Sequence, residues 1–123
     1  MLAIAAAACG ESFPEPYDEL GLPTDGMFSS FVQPEPRVGV VGLYRKGTDT
    51  QAVIAGWDAA LTKKGYKAIC ELKHPDGSIN RGYENAAERR RYLFTAGGLG
   101  GQTEASLLEV PDHIDSADVC PKS

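Results

Sequence analysis

With 123 residues, of which 42% are apolar, the chain has room for one globular domain and an ordinary core. Its net charge of −5 sits in one place. Positions 10–37 carry six acids (Glu11, Glu15, Asp18, Glu19, Asp25, Glu35) against Arg37, whereas positions 38–123 balance eleven acids with eleven bases. A neutral domain behind an acidic leader argues against nucleic acid as a partner, since such domains carry a net basic surface. No apolar run approaches the roughly 18 residues of a spanning helix.

The chain opens MLAIAAAACGES. An apolar run of small residues ending in Ala6-Ala7-Ala8-Cys9-Gly10 resembles the close of a bacterial lipoprotein signal peptide. The resemblance covers about the first nine residues and implies that 1–8 are removed. Cys9 then becomes the first mature residue, with a diacylglycerol on its thiol and an acyl chain such as palmitate on its amino group. Several acyl chains, each buried methylene contributing about 0.8 kcal/mol, hold a soluble domain firmly to a bilayer. Ala6 departs from the leucine most common at that position. The run also lacks a basic n-region and is short for a signal core, which suggests that the reading frame starts further upstream. Glu11 stands where an aspartate would favour retention in the inner membrane, so the resemblance points to the outer membrane, facing the periplasm or the cell surface. The alternative is an alanine-rich first helix of a cytosolic protein, with a buried Cys9. Positions 9–37 then hold Pro14, Pro16, Pro23, Pro34 and Pro36 among acids and small residues, a composition that reads as an extended tether. Phe13, Tyr17, Phe28 and Phe31 are out of keeping with a pure tether, so part of it, around Met27 to Val32, is expected to pack or to form a short helical turn.

From Val38 the pattern becomes that of a folded domain, 38–123. Val38 to Tyr44 is β-branched and reads as a strand; the spacing of Gly39 and Gly42 fits neither phosphate-binding fingerprint and points to close packing or a bulge. Thr48 to Tyr66 has complete helix grammar. Thr48 and Gln51 form a capping box, and Asp49 suits the positive end of the dipole. Val53, Ile54, Trp57, Ala60 and Leu61 share one face. Lys63 and Lys64 occupy the last turn, and Gly65 ends it with Tyr66 folding back. Gly56, about 1 kcal/mol worse than alanine inside a helix, suggests a close neighbour. Tyr66 to Lys73 alternates, with Tyr66, Ala68, Cys70 and Leu72 on one side. His74-Pro75-Asp76-Gly77 is a turn, and Ile79, Arg81 and Tyr83 return as a strand. Glu84 to Arg91 is undecided between loop, helical turn and strand. Tyr92–Thr95 and Thr103–Val110 read as a hairpin around GGLGG, whose glycines suit a flexible tip. Pro111 ends it and an acidic tail leads to Cys120.

If Cys9 is acylated, Cys70 and Cys120 remain as an even pair in an oxidising compartment and are expected to bridge; two unpaired thiols are the alternative. His74 with Asp76, and His113 with Asp112 and Asp115, are two separate pairs rather than the three or four converging ligands of a metal site, so no metal, catalytic residue or cofactor is assigned. Arg89, Arg90 and Arg91 form the densest basic cluster. Together with Tyr83 and Tyr92 they are the candidate binding surface. The expected architecture is α+β: one amphipathic helix on a four- to five-stranded antiparallel sheet, behind a Pro-rich tether. The expected function is non-enzymatic, a lipid-anchored envelope domain that binds or scaffolds another envelope protein. An inhibitor of a hydrolase acting through a GGLGG loop, a small hydrolase, and a cytosolic globular protein are the alternatives.

Overall fold

The computed structural model describes residues 12–33 and 38–121. Cys9, the signal-like residues before it, Glu11 and the segment 34–37 lie outside the described residues. A short 3-10 turn, Tyr17–Leu20, precedes β1 (Met27–Gln33) and β2 (Gly39–Tyr44); α1 (Thr50–Lys63) follows, then β3 (Lys67–Lys73), β4 (Ile79–Asn85), β5 (Arg90–Leu99) and β6 (Gln102–Glu109), and a 3-10 turn at Ser116–Asp118. The strands form one antiparallel sheet in the order β1-β2-β6-β5-β4-β3. One helix on an antiparallel sheet is therefore the fold, with six strands rather than four or five. The additional strand is β1.

Residues 12–33 are part of the domain and not a tether. Phe13, Tyr17, Leu22 and Met27 are buried in the same core as the helix. Prolines and acids gave this stretch the composition of an unpacked chain, yet four apolar side chains at irregular spacing suffice to fold it over the sheet. The Phe13 ring lies over Gly42, where a methyl group would come within 3.1 Å of it. Pro23 presses against the helix at Gly56, where a methyl would overlap its ring at 2.8 Å. The misplaced helical glycine thus admits a proline of the leader.

The helix begins one residue later than its capping-box pattern implies. Asp49 is the N-cap, its carboxylate accepting from Gln51 N at 3.1 Å, while the Thr48 carbonyl accepts from the Thr103 hydroxyl at 3.3 Å. The other end matches expectation: Tyr66 N donates to Leu61 O and Gly65 N to Thr62 O, each at 3.0 Å, across Gly65 at φ 96°. Val53, Ile54, Trp57 and Leu61 are buried, with Ala60 packed beside them. Trp57 is the centre of this layer, edge-on to Phe13 and tilted against Phe94, both at 5.4 Å between ring centroids. Its indole N–H donates to the Tyr44 hydroxyl at 2.9 Å, and that hydroxyl donates to Pro23 O at 2.6 Å. Helix, strand β2 and leader are joined through one buried chain of polar atoms.

The edge strand β3 departs from strict alternation. Ala68 pairs with Tyr83 and Cys70 with Gly82, so Ile69 is an extra residue in the ladder. This bulge takes Cys70 off the side that Ala68 occupies and places it opposite Gly82, on the face away from the helix. There it is bonded to Cys120, whose Cα lies 6.1 Å away. Gly82 makes the room: a methyl there would come within 2.7 Å of Cys70 Sγ and 2.8 Å of Val119.

The undecided stretch 84–91 resolves into the end of β4, a turn over Ala86–Arg89 with Arg89 at φ 55°, and the start of β5. Asn85 closes the turn by accepting from Glu88 N at 3.1 Å. The GGLGG stretch is mostly strand, the reversal being Gly100-Gly101 alone at φ 61° and 85°. It is a tight hairpin, not a flexible tip.

Candidate functional site

Three consecutive arginines on a strand cannot make one surface, because successive side chains leave opposite faces. Arg90 pairs with Asn85 and Arg91 with Glu84. Arg90 accordingly shares the helix-side face with Tyr92, and Arg91 the opposite face with Leu93. Arg89 stays exposed in the turn. The two tyrosines are not surface residues. Tyr83 is fully buried and Tyr92 nearly so, because Tyr92 shares the helix-side face of β5 with Phe94 and Ala96 and Tyr83 lies directly opposite it on β4. The proposed surface is therefore divided into two sites, one on each side of the β4–β5 end of the sheet.

On the helix side, Tyr17, Tyr66 and Tyr92 surround Arg90 in a cleft of about 300 Å³ that Lys64 and Asn85 also line. The Tyr66 and Tyr92 rings lie 5.5 Å apart. Asn85 is held in place by donating to Lys64 O at 3.2 Å. Burial raises the pKa of Tyr92, and its neighbours Tyr66 and Tyr17 add to the rise. Burial raises that of Tyr17 too, helped by Glu109. The three phenols thus gather as a neutral group around the Arg90 guanidinium, whose own pKa the neighbouring Tyr92 raises. Glu19 and Glu88 line the same cleft, so the arrangement offers donors and acceptors together, as a peptide backbone would use.

On the other side, Glu84, Ala86, Arg89, Arg91 and Asp112 line a cavity of about 450 Å³. Arg91 Nη2 donates to Asp112 O at 3.2 Å, and its Nε lies 3.9 Å from Glu84 Oε2. Its Nη1 is buried with no partner among the described residues, which leaves a donor looking for an acceptor.

Sequence reasoning missed Tyr17 and Tyr66 as companions of Arg90: Tyr17 stands out only as an aromatic out of keeping with a tether, and Tyr66 reads as the residue folding back on the helix end. It also missed a network at the β3–β4 edge. The Tyr83 hydroxyl donates to Asp58 on the helix and accepts from Arg81 Nη1 at 3.1 Å, while Arg81 Nε donates to Glu71 Oε2 at 2.9 Å. Tyr83 ties the helix to the sheet and is out of reach of a partner.

The histidine–carboxylate pairs separate. His74 donates from Nε2 to Asn80 Oδ1 at 2.6 Å, and Asn80 donates on to Thr95 at 2.9 Å. Asp76 instead accepts from the hydroxyl and backbone of Ser78, which lowers its pKa, the hydroxyl contributing most. Among the described residues no three His, Cys, Asp or Glu side chains gather as a metal site would need. None of the helices among them is long and apolar enough to cross a membrane. Compared with family models, with known proteins and with solved structures, the chain gives no match.

The buried tyrosines set an alkaline limit to stability. Burial foremost pushes both Tyr44 and Tyr83 up to about 12, the hydrogen bond from Trp57 partly offsetting this at Tyr44 and that from Arg81 at Tyr83. An unfolded tyrosine loses its proton near 10, so the folded state holds the proton more tightly. Stability from this source is complete below pH 10 and is lost as the pH rises towards 12. Thermal melts should show a steady melting temperature from pH 8 to about 9.5 and a steep fall above 10. A flat profile through pH 11.5 would refute it.

Proposed function

We propose that this chain is a lipid-anchored domain of the bacterial cell envelope, attached through Cys9 to the outer membrane, that acts by binding or scaffolding another envelope protein. The observation that carries the reading is the Cys70–Cys120 disulfide. Such a bond belongs to an oxidising compartment, and it leaves Cys9 as the odd thiol, within the stretch that resembles a lipoprotein signal. The cleft at Arg90 and the exposed Arg89 with its neighbour Arg91 are the partner-facing surface, suited to the donors and acceptors of a peptide backbone. An inhibitor acting through GGLGG is the weaker reading, because a two-glycine reversal gives no protruding loop.

The test is the intact mass of the protein expressed from its full upstream reading frame and extracted from membranes. A chain beginning at Cys9, heavier by its acyl groups and by two further hydrogens after reduction, is the expected result. An unprocessed chain with three free thiols overturns the reading. In-cell cross-linking from position 89 should then capture an envelope protein, and the yield should fall in an Arg90→Ala, Arg91→Ala variant.

A further inference from the structure

The two edges of the sheet are unlike. At one, β3 carries Lys67, Glu71 and Lys73, has a bulge, and is braced by the disulfide-bonded tail; such charges and bulges are the usual protection of an edge. The other edge, β1, reads MFSSFVQ and carries no charge. Phe31 and Val32 are 48% and 43% exposed, and among the described residues they are the exposed large hydrophobics. As neighbours on a strand they leave opposite faces of the sheet. Only an approach along the plane of the sheet, edge first, lets both touch one flat surface.

The position of the leader says which surface. The Ser30 hydroxyl donates to Ser12 O at 2.8 Å, so the chain reaches the described domain beside Phe31 and Val32. From Cys9 to Ser12 there are three residue steps, which span at most about 11 Å when fully extended. An acyl anchor at Cys9 thus holds this edge within one short reach of the bilayer. We propose that β1 is the membrane-facing edge of the domain, with Phe31 and Val32 set into the lipid interface on either side of it, so that the sheet stands edge-on to the bilayer. The inference rests on acylation of Cys9. An uncharged edge meets the headgroups without desolvating an ion, and aromatic and aliphatic side chains are the usual interfacial contacts. The unpaired backbone groups of β1 stay at headgroup depth, where water still reaches them. The arrangement leaves the opposite edge and its neighbouring strands facing away from the membrane.

The test uses the acylated protein in phosphatidylcholine vesicles whose acyl chains are brominated, a quencher of nearby indoles. Phe31→Trp and Val32→Trp are compared with Lys67→Trp on the far edge; Trp57, fully buried, gives the same background in each. Emission from positions 31 and 32 should drop in brominated vesicles relative to unbrominated ones, and emission from 67 should not. Intact mass separates the two ways of failing. A protein without acyl mass overturns the anchor and this orientation together. An acylated protein with equal quenching at 31, 32 and 67, or with none, overturns the edge-on contact alone. A photo-cross-linking side chain at Ser29 that joins two copies would assign the edge to a second chain and overturn the proposal as well.

Discussion

Replacing Cys120 with serine should lower the unfolding free energy by about 4 kcal/mol, the chain-entropy value for a loop of about 50 residues. The bond joins positions 50 residues apart, and in the unfolded chain it removes the freedom of everything from β3 to the tail. That is a large share of the 5–15 kcal/mol by which domains of this size are stable. The native face gains from it too. Val119 and Cys120 are buried against the sheet over Gly82, and without the bond this contact must hold the acidic 3-10 turn that precedes it. Local burial of one valine contributes about 2 kcal/mol at most, too little to order the tail by itself. Urea denaturation of the oxidised protein, the reduced protein and Cys120→Ser should therefore give one high midpoint and two low, similar ones. If reduction leaves the midpoint where it was, the bond contributes nothing to the fold. If Cys120→Ser falls well below reduced wild type, packing around the bond matters more than the loop it closes.

The helix could be read from the sequence because its signals are local: a cap, a 3.6-residue stripe and a glycine stop within one stretch. The shift of its cap from Thr48 to Asp49 was not readable, since it depends on Thr103, a residue of β6 that takes up the Thr48 carbonyl. Strand β1 was hidden for the opposite reason. The prolines and acids around it are correctly read as poor strand formers, but Met27–Gln33 needs only one neighbour, β2, and belongs to an edge. Phe13 and Tyr17 were the available signal, because a solvated tether has no use for buried rings. The arginine cluster failed on alternation. Until 84–91 is known to be a hairpin the faces of Arg90 and Arg91 cannot be assigned, and three adjacent charges look like one patch. Gly97 misled in another way. It is a strand residue kept small because Ser78 lies against it, a methyl there falling 2.6 Å from the serine Cβ, whereas the sequence alone suggested mobility. The bulge at Ile69, which brings Cys70 to its partner, leaves no mark in composition or period at all.

Removing the indole at the centre of the core should cost as much as the disulfide. Trp57→Ala is expected to destabilise the domain by about 4 kcal/mol, the mid-range for deleting a large buried aromatic. Three losses combine in that figure. Phe13 and Phe94 each lose a ring at 5.4 Å, and such pairs contribute about 1 kcal/mol beyond their buried area. A cavity opens beneath a helix that cannot collapse into it, because Pro23 already presses on the neighbouring turn at Gly56. The Tyr44 hydroxyl loses its donor. The polar part can be separated. In Tyr44→Phe the buried indole N–H and the half-buried Pro23 O both lose their partner, at a cost of about 2 kcal/mol and with almost no change in packed volume. Trp57→Phe removes the same indole donor from the other end. The double variant Tyr44→Phe, Trp57→Phe should then be less destabilised than the sum of its parts by about 1 kcal/mol, since one broken hydrogen bond is counted in each single variant. Chemical denaturation of the four proteins measures the coupling directly. Strict additivity would mean that Trp57 and Tyr44 are not coupled through their hydrogen bond.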